Sequence, residues 1–452
     1  MRKIIAICAA ALLSVGLFAQ NFQSGYFLEG YHLAYRQNPA FTDTTDFRTG
    51  LMSLVSASWR SNIGLSDILY PYEDRLVTAL NKNIPARTVM EKFPVKGARI
   101  NANLDFGLFA TGFKRGNVYH TVDLTLKYAG QLRLPYDYMS LVKEGVKDKN
   151  LFDLSGIDAG LDNYLELSYG QTRQWGRLKY GVRVKPLIGL GHGRFHGKDI
   201  NVDATGKGWT HEIHADIEVA GGLVTWEEDE KDNVKRISLT SLGLNRYKIG
   251  FGGLGLALDL GAEYPITDNL ILSASILDLG GIKWFDKVYA KSDATYVYSP
   301  ESRIENPDED LQPIMDIIDA FAFKVQEKKL NSFETLPVSF NLGAQYKMPF
   351  NKDISAAILY TYKPYRFYGY NEVRVFGCWT PLSWLSFDLS GAKHNFGWSF
   401  GGAFDVHAPG FNIFWGIDSY AFRVTPQMVP INKSNIGMTF GVSFPLYRRA
   451  NS

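Results

Sequence analysis

The chain has 452 residues, with Lys+Arg 48 against Asp+Glu 46 and a mean hydropathy of −0.13. So even a charge balance argues against a nucleic-acid binder, which needs a basic face. Aromatic residues at 14% and 43 glycines are high for so middling a hydropathy. Alternating lipid-facing and lumen-facing residues on transmembrane strands produce that combination.

At the N-terminus, Arg2 and Lys3 precede an apolar stretch from Ile4 to Phe18, and Leu17-Phe18-Ala19 places a small residue before Gln20. This order predicts a cleaved secretory signal peptide over residues 1–19. Cys8 falls inside it, so the exported chain keeps one cysteine, Cys378, and no internal disulfide. Small secreted domains depend on such bridges, whereas a large closed barrel does not. No later apolar run reaches the ~18 residues that a transmembrane helix needs. Residues 20–47 come next and are rich in turn signals. Gly25-Tyr26-Phe27 leads to Asn38-Pro39-Ala40-Phe41, where Pro39 pushes Asn38 out of helical conformation. This stretch is predicted to be a hatch or plug segment.

Residues 48–452 are predicted to form the barrel. Period-two alternation recurs there in segments of about ten residues, the length of a tilted transmembrane strand. From Ala98 the even positions read Ala98, Ile100, Ala102, Leu104, Phe106, Leu108, Ala110, and the odd ones Arg99, Asn101, Asn103, Asp105, Gly107. Leu254, Leu256, Leu258 and Leu260 likewise oppose Gly255, Ala257, Asp259 and Gly261. Strands are predicted near 48–60, 98–113, 117–129, 161–173, 177–190, 252–264, 269–284, 335–348, 353–363, 366–379, 383–393, 396–407, 410–420 and 436–447. These make an all-β, antiparallel up-and-down barrel of about fourteen strands, even in number with both termini periplasmic. Residues 208–223 supply a further strand, pairing near 192–203 as an outer hairpin; if that hairpin reaches the membrane, the count is about sixteen. The short turns at Tyr264–Asn269, Met348–Asp353 and Trp379–Leu382 belong on the periplasmic side. The long segments 62–97, 131–160, 191–251 and 286–335 then face outward. Within them, helices are predicted over Asp308 to Lys328, Tyr138 to Lys147 and Arg75 to Lys82.

The inward register collects charges of both signs. The acids are Asp105, Asp123, Glu166, Asp259, Glu263, Glu372 and Asp388; the bases are Arg99, Lys127, Lys179, Arg183, Lys185, Lys347 and Arg374. A mixed set is not the one-sign ring of an ion-selective pore; it reads as internal ion pairing around a plug or narrow path. His192, His196, His211 and His214 crowd one outer segment with Asp199 and Asp203. Residues three apart on a strand point to opposite faces, so His211 and His214 diverge. No metal and no cofactor are expected, and Glu227-Glu228-Asp229-Glu230 reads as a solvated loop tip. No nucleophile elbow, phosphate-binding loop or zinc-protease helix occurs, so no catalytic residue is singled out and no enzyme is expected.

The Asn38-Pro39-Ala40 step ahead of a barrel resembles the hatch of the long-chain fatty-acid transporter family (FadL-like). The stretch Gly255-Leu256-Ala257-Leu258-Asp259-Leu260-Gly261-Ala262-Glu263-Tyr264, followed by Leu277-Asp278-Leu279-Gly280-Gly281-Ile282-Lys283-Trp284, is similar to an uncharacterised outer-membrane barrel family related to it. With residues 31–41, the resemblance covers most of the exported chain. It implies the outer membrane of a Gram-negative bacterium, a hatch at Asn38, Pro39, Ala40 and Phe41, and uptake of a small hydrophobic or amphipathic molecule. The type IX secretion shuttle protein is another FadL-like relative. A non-transporting scaffold or secretion-associated barrel that binds exported or surface proteins is therefore a second reading, and an outer-membrane hydrolase a third. The expected partners are outer-membrane lipid with either a small hydrophobic ligand or an exported or surface protein. No nucleic-acid partner is expected, and the chain is expected to be a monomer.

Overall fold

The computed structural model describes residues 23–42, 45–73, 75–146, 149–205, 209–221, 224–228, 234–239, 251–298, 323–419 and 436–446. The predicted leader and the first residues of the predicted hatch lie outside them. So do residues 308–322 of the predicted helix and Asp229 and Glu230.

In chain order the strands are β1 (Phe47–Ser61), β2 (Leu69–Tyr72), β3 (Arg75–Thr78), β4 (Ala98–Arg115), β5 (Val118–Leu134), β6 (Leu151–Asp153) and β7 (Asp158–Trp175). There follow β8 (Leu178–Asp203), β9 (Trp209–Gly221), β10 (Val224–Glu228), β11 (Val234–Leu239), β12 (Gly253–Pro265), β13 (Leu270–Tyr298) and β14 (Lys324–Thr335). The last are β15 (Ser339–Met348), β16 (Asn351–Tyr365), β17 (Tyr368–Leu382), β18 (Leu385–His394), β19 (Gly397–Ala408), β20 (Phe411–Ser419) and β21 (Ile436–Leu446). Helices α1 (Leu65–Ile68), α2 (Ala86–Met90) and α3 (Tyr136–Glu144) lie in the connections. None is long and apolar enough to cross a membrane.

Fourteen of these strands form a closed antiparallel barrel. The staves run β1, β4, β5, β7, β8, β12, β13 and then β15 to β21, and β21 closes on β1 with Ser56 opposite Thr439. Closure leaves no unpaired edge among the staves, which is what a barrel needs where no water can satisfy one. The alternation explains the faces. Leu254, Leu256, Leu342 and Leu389 are exposed on the outside, while Asp259, Ser275, Asn341 and Ser390 are buried inside. Tight connections such as Trp175 to Leu178 and Met348 to Asn351 lie at one end with both ends of the wall, and the long connections lie at the other.

At the end with the long connections the wall is taller on one side. The upper part of β8 pairs with β9 through residues 191–203, and β9 pairs with the upper part of β13 through Val288 to Tyr298. Lower down, β12 occupies that same place between β8 and β13. One stave is therefore made of two pieces meeting end to end near Gly221 and Gly252. The backbone N–H of Gly252 donates to Gly189 there. This is the outer hairpin expected from residues 208–223, and it lengthens the wall without adding a stave. In the same way β14 stands above β15 on β13.

Some expectations give way. Arg75 to Lys82 begins as strand, not helix: β3 pairs with β2, Val77 opposite Tyr70, and both side chains are buried under the loop. Lys324 to Lys328 belong to β14, because β13 offers them a ladder. Glu227 and Glu228 end β10, paired with Arg236 and Val234. Ala98, Ile100 and Ala102 meet the cover formed by Val77, Val89 and Phe93, not lipid. Farther down β4, the register skips Leu108, a bulge that reverses the facing of the residues beyond it. Ala110 thus turns inward, against Leu33 and Phe414.

Candidate functional site

Inside the barrel, residues 23–42 cross the lumen as turns and single 3-10 turns, bonded to strands around the wall. The backbone N–H groups of Gln23 and Ser24 donate to the Asp418 carboxylate at 3.0 and 2.6 Å. His32 shares a hydrogen bond of 2.8 Å with Asn412, whose amide donates in turn to Asp405 at 2.9 Å. The Asn38 amide donates to the carbonyls of Ala262 and Ala274 at 3.2 and 3.3 Å, and its own side-chain oxygen accepts from Ala40 N–H at 2.9 Å. Thr172 donates to the Pro39 carbonyl at 2.6 Å, and Ser275 to that of Gln37 at 2.7 Å. Two wall glycines make this seat. A Cβ at Gly181 would lie 1.8 Å from the Pro39 oxygen, and one at Gly261 2.1 Å from Asn38 Oδ1. Apolar contacts complete it: Leu28, Tyr31, Leu33 and Tyr35 pack on Leu54, Ala110 and Phe414, and Phe27 meets Phe376 edge-on at 5.2 Å. Of the four hatch residues predicted from sequence, Asn38, Pro39 and Ala40 thus make polar contacts, and Phe41 packs against Tyr26 at 5.1 Å.

One charged network occupies the wall facing this segment. Arg36 pairs with Asp123 at 2.6 Å, and Arg183 bridges Asp123 and Asp259 at 2.9 and 3.0 Å. Lys185 continues to Asp259 at 2.6 Å and to Asp278, and reaches Glu166 at 3.9 Å. Lys127 then joins Glu166 at 3.3 Å to Asp105 at 3.8 Å. Burying so many charges costs several kcal/mol per ion unless each is paired. Acids on β4, β5, β7, β12 and β13 around the bases of β5 and β8, with Arg36, provide that pairing. A cavity of about 40 Å3 lies among Tyr31, Arg36, Lys127, Glu166 and Asp278, room for a few waters and well below the ~300 Å3 of a typical ligand pocket.

The structure thus gathers Asp105, Asp123, Lys127, Glu166, Arg183, Lys185 and Asp259 into one network. Lys179 and Glu263 form a separate pair of 2.9 Å near the end of the wall that carries the tight turns. Glu372 and Arg374 pair at 2.8 Å on the opposite wall, where Arg374 also donates to Ser24 at 3.2 Å. Asp388 accepts from Cys378 at 3.6 Å. Arg99 and Lys347 are half-buried near the two ends of the wall. Sequence reasoning missed Arg36, Asp278, Asp405 and Asp418. Asp278 sits in a bulge of β13 with φ 64°, between stretches of opposite facing. Arg36 was visible as the one cation of its segment.

Of the four histidines that crowd the outer segment, the His211 side chain lies outside the described residues, and each of the other three meets its own aspartate. His192 Nδ1 lies 2.7 Å from Asp162, His196 2.5 Å from Asp158, and His214 is bonded to Asp293.

A family model for DUF5723, a family of unknown function, matches residues 39–418. The chain belongs to DUF5723. No curated protein matches this DUF5723 member in sequence. Among solved structures it is similar to the toluene transporter TbuX of Ralstonia pickettii, with 8% identity, 92% of this chain and 94% of that one covered, and a TM-score of 0.41. The toluene transporter TodX of Pseudomonas putida gives 9%, 92%, 93% and 0.40. A FadL homologue of Pseudomonas aeruginosa gives 10%, 90%, 92% and 0.39.

Proposed function

We propose that this DUF5723 member is an outer-membrane barrel in which residues 23–42 act as a hatch, moving to admit a small hydrophobic or amphipathic molecule. The observation that carries this reading is the closure itself: about twenty residues of turn structure, seated largely by polar bonds that water can replace. An even number of antiparallel strands with an apolar outer face suits a bacterial outer membrane. A segment crossing the lumen argues against a standing open pore. The tall outer wall of β8, β9, β13 and β14 favours a second reading, a scaffold holding an exported or surface protein.

Planar bilayers and liposomes separate the two. The full exported chain should pass no steady current yet speed the entry of octanoate or toluene into liposomes, and deletion of residues 23–42 should give large conductance steps. If both proteins are silent in both assays, the transport reading is lost. A surface or exported protein that copurifies with the native barrel in stoichiometric amount would favour the scaffold.

A further inference from the structure

At the joint where β9 takes over from β12, three side chains from three strands converge. They are His192 on β8, Glu218 on β9 and Glu334 on β14, whose ligand atoms all lie within 4.8 Å of one another. The His192 ring is fixed on both sides: its Nδ1 bonds to Asp162 at 2.7 Å, and its face stacks on the buried Trp284 at 5.0 Å. With a proton on Nδ1, Nε2 presents a lone pair. That atom is buried without a hydrogen-bond partner and faces Glu218 Oε2 at 4.0 Å. An aspartate behind a histidine is the usual way to orient an imidazole for a metal ion.

We propose that His192, Glu218 and Glu334 bind one Zn2+, with water completing its coordination, and so staple the joint between the upper and lower pieces of the split stave. One imidazole and two carboxylates match zinc's borderline preference, whereas calcium seeks six or more oxygens. Zinc bonds of about 2.0–2.2 Å require ligand atoms nearer about 3.4 Å apart, so the carboxylates close in on a fixed His192. Glu334 is partly exposed, which leaves its carboxylate room to swing. Two cations hold the acids: Lys287 lies 2.5 Å from Glu218, and Arg194 3.7 Å from Glu334. Zinc and Lys287 therefore compete for Glu218.

The test is calorimetric titration of the chelator-treated full barrel in micelles with ZnCl2, with zinc content measured after dialysis. One zinc per chain is expected, unaffected by excess calcium. Affinity should fall at least ~10-fold in H192A and in E334Q, and ~10-fold or more in D162N, the usual effect of removing an outer-shell partner. K287M should bind zinc more tightly. Heat-modifiable gel migration confirms that each variant is folded, and E334Q alters a side chain exposed enough to leave packing intact. Absence of saturable binding in the unaltered protein would overturn the site. Unchanged affinity in both H192A and E334Q would also overturn it, assigning the zinc to other side chains. No tightening in K287M would remove Glu218 from the ligand set.

Discussion

Arg36 is the one Lys or Arg among residues 23–42, and it carries a full positive charge from the crossing segment to the wall. Asp123 is completely buried and has Arg183 and Ser168 as its remaining partners. Removing one member of a buried pair commonly costs about 3–5 kcal/mol. With those partners left to Asp123, Arg36→Met should cost about 2–3 kcal/mol, near or below the lower end of that range. Urea unfolding in micelles measures the loss, and transient current steps should appear in bilayers as the segment loosens. Arg87→Ala is the contrast, because its partner Glu91 and Arg87 itself are both well exposed; less than about 0.5 kcal/mol is expected. Arg36 shows where sequence reading stops. Its acid lies 87 positions away, and no local spacing announces a pair made across the lumen. The inward register of Arg183, Lys185 and Asp259, by contrast, was legible from alternation with leucine and valine.

At the scale of the element, the bulges mark the limit of that alternation. Ser273 and Ser275 face inward at odd positions, but beyond Asp278 the inward residues are Ile282 and Trp284, at even ones. Counting from either end alone therefore misplaces half of β13. Asp278 absorbs the change by adopting a positive φ, which aspartate tolerates better than most residues. Deleting Asp278 should put the two halves of β13 out of phase, since a slip of one residue turns every side chain to the other face. The expected outcome is a chain that fails to show heat-modifiable migration on gels, whereas Asp278→Asn should still fold. A variant with the deletion that assembles normally would show that the bulge does not set the facing. Short elements in the outer loops were harder to read. The sequence predicts a helix over 75–82, yet pairing of Val77 with Tyr70 beneath the loop makes Arg75–Thr78 a strand.

For the whole molecule, exposure alone does not tell lipid from water. Leu389, in the middle of β18, is 74% exposed, and Val95, in the outer loop, is 81% exposed. If the outer face lies in a bilayer, Leu389→Arg should destabilise the barrel by about 2–4 kcal/mol and Val95→Arg by close to zero. Equal effects in refolding into liposomes would contradict the placement of the membrane around β18. The staves needed no neighbour to be legible, because each one faces lipid and lumen in turn. The height of the wall did, because it depends on which strand stands on which.

The split stave has a consequence for how this architecture can change. Because β9 and β12 are separate lengths of chain sharing one place in the wall, the upper storey can be lengthened, exchanged or lost at the Gly221 and Gly252 landing. The number of staves and their stagger in the lower wall would stay as they are.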